Sequence, residues 1–180
     1  MSQVVLLRGV NVGGYKTFRP ARLAEELRHL GAINIGAAGT FVIGKPIAAA
    51  RLRQELASRL PFETEIIICP EREFAGLLAH DWFEGRPSRP DIVRFVTVLA
   101  RPPRVSPPLP IVIPDRGTWL VRVIGHDGRF VIGEYRRQMK AIGYLGKLDG
   151  TFGGPGTTRN WNTITAIGTA LERANLTVAS

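Results

Sequence analysis

Hydrophobic and polar positions recur along this chain with two different periods, and the switches between them mark out its elements. The stretch Gln3 to Gly9, with VVLLR at its centre, predicts a strand that runs into the turn-rich segment NVGGYK. Leu23, Ala24, Leu27 and Leu30 then fall at spacings of three and four, the buried face of a helix over 20–30 that Gly31 ends. Two short strands follow at 33–37 and 40–43, separated by Ala38-Gly39. Leu52, Leu56 and Leu60 at successive i+4 steps predict a second helix, stopped by Pro61. Glu63 to Cys69 is β-branched and apolar but alternates poorly, as a central strand does. The order strand, helix, strand, strand, helix, strand is the split βαβ or ferredoxin-like arrangement, in which two helices cover one face of a four-stranded antiparallel sheet.

Beyond a short helical connector at 72–79, the sequence HDWFEGRPSRP reads as a boundary near residues 80–90. Ile92 to Leu99 is strongly β-prone, and the segment Arg101 to Pro114 holds six of the chain's thirteen prolines, which excludes a helix or an interior strand. Trp119–Ile124 and Arg129–Gly133 predict a hairpin around Asp127-Gly128, with Trp119, Val121 and Val123 on one side and Arg122 on the other. The first half of RRQMKAIGYLGKLDG is assigned to a helix, although Gly143 and Gly146 weaken it. After the glycine-rich TFGGPG, a helix from about Asn160 to Arg173 carries Trp161, Ile164, Ile167, Leu171 and Ala174 on its apolar face. The expected fold class is therefore α+β: a ferredoxin-like βαββαβ domain over 1–80 and a smaller α+β subdomain over 91–180, with a β-hairpin and a C-terminal helix.

Composition narrows the functional classes. At 44% hydrophobic and 22% charged residues, the chain is neither disordered throughout nor collagen-like. Its apolar runs, such as Ile66 to Cys69, are a few residues long, where a bilayer span needs about 20. No membrane association is expected, and the N-terminal run is interrupted at Arg8 and lacks a secretory h-region, so a cytoplasmic address is expected. The single cysteine, Cys69, cannot make an internal disulfide, and its apolar setting predicts a buried thiol. Charge is the anomaly, with 24 Lys plus Arg against 15 Asp plus Glu and a net charge of +9. That excess invites a phosphate-bearing small molecule or nucleic acid as partner, although the predominance of arginine over lysine fits coding bias equally well. Residues 91–180 hold 12 basic and 6 acidic groups, residues 1–90 hold 12 and 9, so the excess lies in the second half.

Two segments could carry chemistry. The first sets Arg8, Asn11, Gly13, Gly14 and Lys16 at the exit of the opening strand, where glycine N–H groups can face an anion and Arg or Lys can neutralise it. Neither nucleotide-loop consensus is satisfied. The same residues also read as a tight turn in which Gly13 and Gly14 supply positive φ and Asn11 bonds its own backbone. In the second segment Thr157 or Thr158 is placed to cap the last helix, which puts Thr158, Arg159 and Asn160 at its positive end. There the competing reading is architectural, with Trp161 anchoring the helix and Arg159 paired to a carboxylate. His29, His80 and His126 have no metal-ligand spacing, Ser58, Ser88 and Ser106 have no hydrolase context, and Asp149 reads as a turn residue. No cofactor and no metal is expected, and the catalytic residues, if any, are not identified.

LLRGVNVGG at Leu6–Gly14 and TTRNWNT at Thr157–Thr163 resemble the two signatures of the domain-of-unknown-function 1697 family, and HLGAINIG resembles its helix-to-strand step. The resemblance implies a two-part α+β protein with a ferredoxin-like first half, and no known activity. The chain departs from it at AAGTFVIG, where relatives carry an INSGNVVF-like strand pair with a polar turn, and in the glycine content of the segment before TTRNWNT. Three readings follow: a binding module in which the first loop and the last helix's N-terminus share one anion site, a structural or oligomeric protein in which both motifs join the halves, and an enzyme acting on a small anionic substrate.

Overall fold

A computed structural model describes residues 1–178, which form a mixed α+β fold with two antiparallel sheets. The chain divides into two compact units, Met1–Leu78 together with the chain from Thr165 onward, and Ala79–Ile164.

In the first unit β1 (Gln3–Leu7) is central, pairing antiparallel with β3 (Thr40–Ile43) and β4 (Ile66–Pro70), while β2 (Ala32–Ile35) pairs with β3. The order β2-β3-β1-β4 puts the first strand between the third and the fourth, as two helical crossovers require. Those crossovers are α1 (Pro20–Glu26), with proline in its first turn and a 3₁₀ turn after it, and α2 (Ala49–Ala57). Gly31 ends the first crossover in the left-handed conformation, as the sequence predicts. Leu23, Ala24, Leu27, Leu52 and Leu56 pack with Val5, Leu7, Phe41, Ile43 and Ile66 on one face of the sheet.

The opposite face is covered too, which the pattern alone did not show. Val4, Leu6, Val42, Ile67 and Cys69 are buried there. Buried side chains also lie on α3 (Glu71–Ala79) at Phe74 and Leu77, and on the final helix, α6 (Trp161–Val178), at Ile167, Ala170, Leu171 and Ala174. A Cβ on Gly44, just beyond β3, would lie 3.3 Å from the Ala174 methyl, and one on Gly168 would lie 2.7 Å from Leu78. Burial on both faces is the physical reason that Glu63–Cys69 alternates poorly.

The second unit is built on β5 (Ile92–Leu99), β6 (Ile111–Ile113), β7 (Val121–Asp127), β8 (Phe130–Arg136) and β9 (Gly156–Asn160), in the order β6-β7-β8-β5-β9. The proline-rich segment contributes only the short edge strand β6, three residues bounded by Pro110 and Pro114. The hairpin β7-β8 turns at Gly128, whose φ is 54°. Phe95, Leu99, Val121, Val123 and Val131 form one apolar face, capped by Ala141, Leu145, Leu148 and Phe152 of α4 (Met139–Leu145) and α5 (Leu148–Phe152). Gly133 is required within this sheet, since a Cβ there would sit 2.3 Å from the Arg122 carbonyl and 2.7 Å from the Phe95 ring.

On the other face Glu134 is 1% exposed, and the pairings Arg122↔Glu134 and Arg94↔Glu134 place a guanidinium on either side. Arg122 reaches it at 2.6 Å and 2.8 Å, Arg86 at 3.5 Å and Arg94 at 3.9 Å. Buried charge needs this much compensation. No described helix is long and apolar enough to cross a membrane, and no group of His, Cys, Asp or Glu among the described residues is arranged to hold a metal ion.

Candidate functional site

The loop after β1 is organised by Asn11. Its φ of 55° is left-handed, a conformation asparagine tolerates better than most residues, and its backbone N–H donates to the Lys16 carbonyl at 3.1 Å. Its side chain is used on both sides: Nδ2 donates to the Ala37 carbonyl and Oδ1 accepts from the Phe18 N–H, each at 2.9 Å. Gly13 and Gly14, at φ 55° and 77°, make the turn between Val12 and Tyr15. Lys16 Nζ donates to the Glu63 carbonyl at 2.8 Å, and Arg8 is exposed. The AAGT turn packs closely against the end of β1, where a Cβ on Gly39 would lie 2.7 Å from Val10 and 2.9 Å from Leu7.

The second motif differs from its expected geometry. Thr157, Thr158 and Arg159 belong to β9, and α6 begins only at Trp161. The two threonines do not cap the helix. They are held in the sheet by pairing with Val98 and Thr97, and the Thr158 hydroxyl lies 2.7 Å from that of Thr97. Asn160 is the cap, its Oδ1 accepting from the Thr163 N–H at 2.9 Å and from the Thr163 hydroxyl at 3.0 Å. Arg159 points into the unit and is 6% exposed, with Nη1 donating to Thr157 Oγ1 at 2.7 Å and to the Thr158 carbonyl at 3.0 Å. Desolvation pushes its pKa down to about 10. Trp161 is half-buried and meets the edge of Phe83 with ring centroids 5.2 Å apart.

Sheet register creates a pocket at this end of the second unit. The start of β5 is flanked on one side by the end of β8, through Val93↔Tyr135, and on the other by the end of β9, through Phe95↔Asn160. The loop Pro87–Ser88–Arg89 contributes to its lining. The resulting cavity of 340 Å³ is lined by that loop, Ile92, Val93, Arg94, Tyr135, Arg137 and the Asn160–Asn162 turn. Of the eight residues singled out in the sequence, Asn160 lines it. Thr158 and Arg159 sit in the adjoining strand, and Arg8, Asn11, Gly13, Gly14 and Lys16 belong to the first unit.

The lining is cationic. Arg89 binds Asp91 in a fork, at 2.8 Å and 2.9 Å, and this hydrogen-bonded charge holds the Asp91 carboxyl below the ordinary range against the opposing effect of burial. Arg137 Nε donates to the Pro90 carbonyl at 3.2 Å. Arg94 Nη2 donates to the Arg86 carbonyl at 2.6 Å, and its guanidinium lies 4.6 Å from the Phe83 ring centre. Tyr135 is half-buried, and desolvation raises its phenol above 10, partly offset by the charge of Arg137. No carboxylate, histidine or cysteine is among the described lining residues. Arg89, Arg94, Tyr135 and Arg137 are not among the candidate site residues read from sequence. Their local signal was the RPSRP loop and the YRR end of the hairpin, and only strand register brings them together.

The protein-family model described as "Protein of unknown function (DUF1697)" matches residues 1–108, so the TTRNWNT motif lies outside the matched span. No curated protein matches the chain in sequence. Among solved structures, the chain is similar in fold to "conserved bacterial protein SP0830 from Streptococcus pneumoniae", with a TM-score of 0.58 and 16% identity over 94% of this chain and 98% of that one.

Proposed function

Because the chain belongs to the DUF1697 family, a membership that carries no activity with it, we propose a function from geometry: the second unit binds a small phosphate-bearing molecule in the pocket at the start of β5. The observation that carries this reading is three guanidinium groups, Arg89, Arg94 and Arg137, on one cavity, with Asp91 forked onto Arg89 and Glu134 3.9 Å from Arg94 just outside its lining. Arginine presents planar paired donors that match phosphate oxygens. The Asn160-capped start of α6, an 18-residue helix, adds its positive end to the same wall. The Tyr135 phenol, kept protonated at neutral pH, supplies a neutral donor.

Size favours a small ligand over a nucleic-acid strand. At 340 Å³ the cavity is near the lower end of the ~300–1,000 Å³ range of small-molecule sites and would hold roughly ten waters. That is room for a phosphorylated sugar or another compact monoester. A nucleic-acid backbone would call for an extended basic groove with spaced phosphate contacts. The lining also favours binding over catalysis, because Ser88 has no base beside it in the pocket lining and the three cations stabilise charge without moving a proton. In the first unit, the Arg8–Lys16 loop is read as a structural turn, since Asn11 uses both side-chain atoms to tie it to the Ala37 carbonyl and the Phe18 N–H.

Calorimetric titration of the protein with inorganic phosphate and ribose 5-phosphate tests the proposal. Arg137→Ala should weaken both by about tenfold or more, as loss of one charge-assisted contact does. Failure of the unaltered protein to bind either ligand contradicts it.

A further inference from the structure

We propose that Ser88 is a phosphorylation site whose phosphoryl group is captured by the same pocket, so that modification closes the site to its ligand. The inference rests on the pocket assigned above and adds its regulation. Ser88 is the one aliphatic hydroxyl among the lining residues described, and it stands in a loop whose residues 87–90 are all exposed. Pro87 and Pro90 keep this loop out of helix and sheet, and the serine is flanked by Arg86, 3.5 Å from Glu134, and by the exposed Arg89, which shares its guanidinium with Asp91. An exposed serine between arginines has the chemistry that the acidic substrate cleft of an arginine-directed protein kinase recognises.

The step is an ordinary phosphoryl transfer. Ser88 Oγ attacks the γ-phosphorus of a magnesium-bound nucleoside triphosphate held by the kinase. An Oγ–P bond forms, the bond from that phosphorus to the β-phosphate bridging oxygen breaks, and the nucleoside diphosphate leaves. The hydroxyl proton passes to the kinase's base. The product adds nearly two negative charges and three strong acceptors at the wall of a cavity that already holds Arg89, Arg94 and Arg137. Because the new phosphate is tethered, it competes with a soluble ligand at an effective concentration in the millimolar range.

The test uses the full chain, treated with a purified arginine-directed serine kinase and MgATP, mapped by mass spectrometry and titrated by phosphorus NMR. Capture predicts phosphate on Ser88 whose second ionisation falls clearly below the value of about 6 of an exposed phosphoserine. It also predicts return toward 6 in Arg137→Ala and, as a second variant from another wall, in Arg89→Ala. No phosphate on Ser88, or a phosphate that ionises like an exposed phosphoserine, overturns the proposal. The two readings fail separately. If the unmodified protein binds inorganic phosphate while phosphorylated Ser88 titrates as exposed, capture is overturned and the binding pocket stands. If the unmodified protein ignores phosphate but the Ser88 phosphate is shifted, its capture by the arginines stands, and both the ligand-binding reading and the closure of the site fall.

Discussion

The side-chain oxygen of Asn160 accepts a hydrogen bond from the backbone N–H of Thr163 at 2.9 Å, so one asparagine ends a strand, caps an 18-residue helix and lines a cationic pocket. Stability and binding can be separated at this position. Asn160→Ala removes the cap and should cost about 1 kcal/mol in urea unfolding. Asn160→Asp keeps a capping oxygen and should leave stability nearly unchanged, yet it adds negative charge at the pocket and should weaken phosphate binding. Equal phosphate affinity in the aspartate variant would remove Asn160 from the site.

Asp91 competes with any anion for Arg89. Its carboxylate occupies two guanidinium donors at 2.8 Å and 2.9 Å, with Arg136 a further 3.5 Å away. Asp91→Asn should therefore tighten inorganic phosphate binding, and the gain should vanish in an Asp91→Asn/Arg89→Ala double variant. Calorimetry on the four proteins of that cycle gives the coupling directly.

Tyr135 gives the pocket a pH signature. Burial raises the folded phenol above 10, so between 10 and the raised value the folded state holds a proton that the unfolded state has released. Stability contributed by this group is complete below pH 10 and falls as pH rises past it. Urea midpoints at pH 9, 10 and 11 should drop more steeply for the natural protein than for Tyr135→Phe. A parallel drop in the two proteins would show that Tyr135 ionises as if exposed.

Glu134 anchors the sheet behind the pocket. It is 1% exposed among Arg86, Arg94 and Arg122, so Glu134→Gln leaves three guanidinium groups facing a neutral amide. The expected loss is about 3 kcal/mol in chemical unfolding, as for breaking a buried ion pair. A loss under about 0.5 kcal/mol would mean that water screens these charges.

Much of the fold was legible from local pattern, because period-2 and period-3.6 runs report one-sided burial. The α1 and α2 faces, the Asp127-Gly128 turn and the confinement of the proline-rich segment to an edge all follow from such rules. The second cover on the first sheet was not legible, since a strand buried on both faces loses its alternation. The cap was misplaced because Thr157, Thr158 and Asn160 all offer a side-chain oxygen within four residues, and only pairing of β9 with β5 decides among them. That same long-range pairing hid the pocket. Arg89, Tyr135 and Arg137 are far from Asn160 in sequence, and nothing local announces that Val93↔Tyr135 and Phe95↔Asn160 bring them together. The overall charge pointed in a useful direction but not to a place: Ala79–Ile164 holds 13 basic and 7 acidic residues, and only three of those arginines line the cavity.

The most direct measurement is a crystal of the full chain soaked in arsenate, an anomalously scattering phosphate analogue, and compared with an Arg137→Ala crystal treated alike. The account predicts an anomalous peak in the cavity within hydrogen-bonding distance of Arg137 and near the Asn160 end of α6, lost in the variant. A peak only at other basic surfaces, or an unchanged peak in the variant, would contradict it.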